Sequence, residues 1–65
     1  MEYRFEEFEF NGNVSVILPK INAITKSGEW RVHTFMPVRL GGAEDVDNNG
    51  VIPWFQDIWF VKGVL

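Results

Sequence analysis

Hydrophobic and polar positions alternate from Glu29 to Leu40, EWRVHTFMPVRL. Trp30, Val32, Thr34, Met36, Val38 and Leu40 fall on one side, and Glu29, Arg31, His33, Phe35, Pro37 and Arg39 on the other. A period of two is what a strand with one buried face requires. The flanking pairs Ser27-Gly28 and Gly41-Gly42 form turns readily. The pattern predicts that this stretch is the central strand of a small antiparallel sheet.

The same alternation, broken by phase slips, runs through the first part of the chain. Tyr3 and Phe5 share one phase, Phe8 and Phe10 the other, and the slip at Glu6-Glu7 predicts a β-bulge. Asn11-Gly12-Asn13 predicts a hairpin. A three-residue loop with Asn13 left-handed sets Phe10 opposite Val14 and Phe8 opposite Val16, so the apolar faces match. A second strand then passes through Val14, Val16 and Leu18, bends at Pro19, and continues through Ile21 and Ala23. A two-residue Ser27-Gly28 turn pairs Lys26 with Glu29 and Ala23 with Val32. GGAEDVDNNG, residues 41–50, reads as a polar loop, followed by a helical turn near Pro53–Gln56 and a last strand at about Asp57–Val64. Paired slips favour curvature. The expected fold is therefore all-β, a single domain over residues 1–65. Its four or five antiparallel strands form a meander that curls into a partly open barrel or sandwich.

Composition narrows the means of stabilisation. A chain of 65 residues buries only about 60% of the surface its unfolded form exposes. It has no cysteine, which removes disulfides and zinc-thiolate sites. Six Phe, three Trp and one Tyr supply the core instead, each able to bury roughly 150–250 Å². So small a domain cannot surround them all, so two or three rings are expected at the surface, available to a partner protein or a second copy.

The net charge of −3 is unevenly placed. Residues 1–10 carry Glu2, Glu6, Glu7 and Glu9 against Arg4. Residues 11–43 carry Lys20, Lys26, Arg31 and Arg39 against Glu29, and residues 44–65 carry Glu44, Asp45, Asp47 and Asp57 against Lys62. The acidic balance argues against a partner held mainly by phosphate contacts. MEYRFEEFEF does not resemble a signal peptide, and no apolar run reaches the ~20 residues that span a bilayer. No membrane association and a cytoplasmic location are expected.

Few residues suggest chemistry. His33 lies on the polar side of its strand, the only serines are Ser15 and Ser27, and no nucleophile–base arrangement is suggested. Glu6, Glu7 and Glu9 read as a solvated face that resists edge-to-edge pairing, since so small a sheet offers little depth to desolvate a general acid. Asp45, Asp47 and Asn49 precede Gly50, with Ile52 two residues beyond, and this loop over residues 45–56 resembles the calcium loop of EF-hand proteins. The resemblance implies Ca²⁺ held by Asp45, Asp47 and Asn49. Gln56 stands where that family has a bidentate Glu, and Pro37, Gly41 and Gly42 preclude the incoming helix. The alternative reading is an Asx-rich turn. Gly50-Val51-Ile52-Pro53 resembles the step before the last strand of SH3 domains, which implies a small barrel.

The function expected from the sequence is non-enzymatic protein binding, as a small inhibitor, adaptor or accessory subunit. It would act through exposed aromatics among Trp54, Phe55 and Trp59 together with the acidic Glu6, Glu7 and Glu9. One version has the acidic surface occupy the nucleic-acid site of an enzyme. The alternatives are a calcium-stabilised β-domain and a single-stranded nucleic-acid binder that stacks bases on the same rings.

Overall fold

A computed structural model describes residues 1–63. The small all-β domain is present: four strands form one sheet in which every pairing is antiparallel, with one short α-helix against it. The strands are β1 (Glu2–Phe10), β2 (Trp30–Phe35), β3 (Arg39–Leu40) and β4 (Trp54–Lys62). The helix is α1 (Leu18–Thr25). The sheet is open, with β1 along one edge of β4 and β2 followed by β3 along the other. Among the described residues no helix is long and apolar enough to cross a membrane.

The centre is β4, not the stretch from Glu29 to Leu40. β4, WFQDIWFVK, has buried residues on both of its faces, so its apolar positions do not alternate. Phe55–Ile58, Phe60 and Val61 are all buried, whereas of the residues in β2 and β3 only Trp30 is even partly covered. The helical turn expected near Pro53–Gln56 is absent, because strand structure already begins at Trp54. Val64, the expected end of that strand, lies outside the described residues.

The hairpin expected at Asn11–Asn13 and the strand expected from Val14 to Ala23 are replaced by a crossover. β1 and β2 each run antiparallel to β4, so they are parallel to one another, and parallel strands cannot be joined by a tight hairpin. Asn13 is extended (φ −121°) and not left-handed, and it caps a 3-10 turn over Val14–Ile17. Its Oδ1 accepts from the Ser15 amide at 3.1 Å and the Ser15 hydroxyl at 2.7 Å. Pro19 falls in the first turn of α1, where a missing N–H costs nothing. Ile17, Ile21 and Ile24 then recur at helical spacing on one side and pack into the core. Gly28, at φ +80°, reverses the chain after the helix, and its N–H reaches the Thr25 carbonyl at 3.0 Å. Lys26 and Glu29 are not paired, and Glu29 instead faces Lys62 at 3.9 Å.

β1 pairs with β4 in one unbroken register from Glu2↔Lys62 to Phe10↔Trp54, so the bulge expected at Glu6-Glu7 does not form. The phase change has another meaning: the two pairs of rings serve opposite sides of the sheet. Residues directly opposite one another share a side. Phe8, Phe10, Ile58 and Phe60 therefore face α1, forming the core with Ile17 and Ile21, and Ile24 and Trp30 pack against it. Tyr3, Phe5, Glu7 and Glu9 share the other side with Phe55, Asp57, Trp59 and Val61. No helix covers that side. The irregularities lie on the opposite edge, where the register shifts between Val32 and Thr34 and leaves His33 as the extra residue. Pro37, which has no N–H, interrupts the edge between β2 and β3, while the Met36 amide still donates to the Asp57 carbonyl at 2.9 Å.

Candidate functional site: the helix-free side of the sheet

The polar end of this side is built around Arg39. Its Nε donates to Asp57 Oδ2 at 2.8 Å, and its Nη2 donates to Asp57 Oδ1 at 3.3 Å and to Glu7. The guanidinium also lies 4.6 Å from the centroid of the Phe55 ring. One side chain from the basic middle of the sequence thus meets a carboxylate from each acidic end. The hydrogen bond with Asp57 is the main cause that raises the Arg39 pKa above its ordinary value; the charges of Asp57 and Glu7 act in the same direction, and burial opposes them. A pKa raised on folding contributes stability that is lost only as pH climbs through the raised value. Arg39 therefore stays charged across the neutral and mildly alkaline range. Asp57, only 8% exposed, has its charge matched there.

The apolar end is open. Phe5 and Trp59 meet with ring centroids 5.0 Å apart, and Tyr3 meets His33 edge-on at 5.1 Å. The β2 bulge delivers His33 to this position, off the regular ladder. Between these pairs lies an open hollow of about 470 Å³ lined by Tyr3, His33, Thr34, Met36 and Trp59. Tyr3 is 55% exposed and Phe5 47%.

The residues singled out from the sequence do not form one site. Trp59 lies at the hollow, but Trp54 is on the helix-facing side at the far end of β4. Phe55 is 6% exposed, beneath Arg39 and close against Gly41, where an added Cβ would come 2.9 Å from its ring. Glu7 and Glu9 share the helix-free side, whereas Glu6 faces the other way and accepts from Arg4 at 2.8 Å. Tyr3, Phe5, His33 and Met36 were missed as site residues. The phase difference between the two ring pairs of β1 was the available signal.

The loop over residues 45–56 uses its carboxylates on its own backbone. Asp47 Oδ1 accepts from the amides of Asn49 (2.8 Å) and Val51 (3.0 Å), and Asp45 Oδ2 accepts from Gly42 (2.9 Å). Gln56 is buried and donates to the Met36 carbonyl at 2.6 Å. Among the described residues no three His, Cys, Asp or Glu side chains are grouped to hold a metal. These contacts favour the Asx turn. Asp47→Ala is expected to lower stability by about 0.5–1.5 kcal/mol for each amide left without its acceptor, equally with and without millimolar Ca²⁺ in thermal denaturation. A loss confined to calcium-containing buffer would establish a metal site instead.

Comparison with protein-family models, curated proteins and solved structures finds no match for this chain.

Proposed function

We propose that the chain is a non-catalytic protein-binding module whose partner surface is the helix-free side of the sheet, centred on Tyr3, Phe5 and Trp59. The observation that carries this reading is the grouping of three rings on an uncovered sheet face, two of them about half exposed, beside the hollow. Aromatic area left in water gains free energy when a partner covers it, and Trp and Tyr are the residues most often dominant in such contacts. Glu7 and Glu9 supply an acidic rim. A partner enzyme with a basic nucleic-acid site is one occupant of suitable charge, and Glu7→Gln with Glu9→Gln tests that version through loss of binding.

A nucleic-acid ligand is less well served. The cations of this side are Arg31, which donates to the Gly63 carbonyl at 3.3 Å, and Arg39, which already meets Asp57 and Glu7. The test is affinity capture followed by cross-linking, comparing wild type with Trp59→Ala. A hot-spot tryptophan costs about 2 kcal/mol or more, roughly thirtyfold in affinity. Because Trp59 is partly buried, Tyr3→Ala, at a 55% exposed ring, is the variant expected to lose capture while keeping its melting temperature. Capture that is indifferent to Trp59→Ala and to Tyr3→Ala would refute this assignment of the surface.

A further inference from the structure

We infer that the hollow between Tyr3, His33 and Trp59 receives a basic side chain of the partner, a guanidinium or an alkylated ammonium held against the Tyr3 and Trp59 rings. This rests on the proposed binding role of the helix-free side and names the chemistry of its ligand.

The internal contacts of the chain supply the first argument. Two other rings of the sheet have cations against them: Trp30 has Arg4 at 5.6 Å and Lys62 at 5.7 Å, and Phe55 has Arg39 at 4.6 Å. Among the described residues, Tyr3 and Trp59 have none, although they border an open hollow. A cation within about 6 Å of an aromatic centroid is attracted by the ring quadrupole, most strongly over tryptophan. The chain's own nearby guanidinium groups are engaged elsewhere, Arg31 on Gly63 and Arg39 on Asp57 and Glu7.

Charge and shape agree. The chain carries a net −3, and on the helix-free side Glu7, Glu9 and Asp57 outnumber Arg31 and Arg39 by one, so a cationic segment is favoured over a phosphate-bearing one. Asp57 and Glu7 lie two residues along their strands from Trp59 and Phe5 on the same side, about 7 Å at the usual strand rise. Arg39 offsets one of these two charges, so the group leaves a net −1 beside the hollow without filling it. The Tyr3 hydroxyl donates to Met1 Sδ at 3.5 Å, leaving its lone pairs to accept, and Thr34 brings a second hydroxyl to the wall. A volume of about 470 Å³ falls within the range of roughly 300–1,000 Å³ common for ligand pockets.

The test is an NMR titration of the ¹⁵N-labelled protein with three short peptides, acetyl-Gly-X-Gly-amide, in which X is arginine, trimethyl-lysine or the neutral citrulline. The indole N–H of Trp59 reports on the hollow, while those of Trp54 and Trp30 on the other side of the sheet serve as references. Saturable shifts at Trp59 with arginine or trimethyl-lysine, at least fivefold weaker with citrulline and lost in Tyr3→Leu, are expected; the stronger of the two cations identifies the side chain. Unchanged Trp30 signals in Tyr3→Leu confirm that the variant is folded. Equal shifts with citrulline, no shift with any peptide, or a response to oligothymidylate alone would each overturn the inference. So would a concentration-dependent dimer that blocks the Trp59 response. Failure of the peptides while Trp59→Ala still abolishes partner capture removes only this inference; failure of both removes the binding surface as well.

Discussion

Phe60→Ala is expected to unfold most of the protein at room temperature. Phe60 is 0% exposed at the centre of the sheet, its ring 6.4 Å from that of Phe8 and approximately perpendicular to it. It belongs to the single cluster formed by Phe8, Phe10, Ile17, Ile21 and Ile58. Truncating a buried phenylalanine costs about 3–5 kcal/mol, part of it lost transfer energy and part the cavity left behind. A chain of 65 residues has a total stability of only roughly 3–10 kcal/mol at typical values per residue. Urea denaturation followed by circular dichroism should show the midpoint falling to near zero denaturant. A loss below about 1 kcal/mol would mean that Phe60 is not in a packed core. Trp54, 39% exposed on the same side of β4, provides the comparison, because its replacement by alanine should cost less than that of the fully enclosed Phe60.

The second large effect separates a helix from a strand between Leu18 and Thr25. In a strand Ile21 and Ala23 would point the same way, and both would matter. In α1 they diverge: Ile21 is buried against the sheet and Ala23 is exposed. Ile21→Ala should therefore cost about 2–5 kcal/mol, and Ala23→Glu should stay within about 0.5 kcal/mol of wild type. The pair can be measured in the same denaturant series. Comparable losses at the two positions would contradict the helix.

The sequence misled at this segment for a specific reason. Val14, Val16 and Leu18 alternate as a strand would, and β-branched residues favour that reading, yet all three are exposed. The residues that carry the packing are Ile17, Ile21 and Ile24, whose helical spacing is equally present in the letters. Local periodicity alone cannot choose between two overlapping patterns; the choice is made by which set meets the apolar surface of β1 and β4.

The polar loop shows the converse. Asp45, Asp47, Asn49 and Gly50 mark a turn in any context, because a short carboxylate or amide can bond the amides just ahead of it. Asp47 does so with Asn49 and Val51. The same local chemistry explains why a resemblance to a calcium loop arises from these residues: both structures use short oxygen-bearing side chains ahead of a glycine.

The amino-acid sequence by itself determined that this is a small antiparallel β-domain with an aromatic core, no cysteine cross-link, an acidic balance and a turn-forming loop after residue 41. Each of these follows from composition or from contacts between near neighbours in the chain. The tertiary structure alone decided that β4 is central, that the two phases of rings in β1 serve opposite sides, and that Tyr3 and Phe5 stay exposed beside a partly buried Trp59. Those outcomes depend on β1 pairing with β4 from the far ends of the chain while α1 settles on only one side of the sheet. Pairing between distant segments is selected by the total apolar surface buried, which no local period reveals.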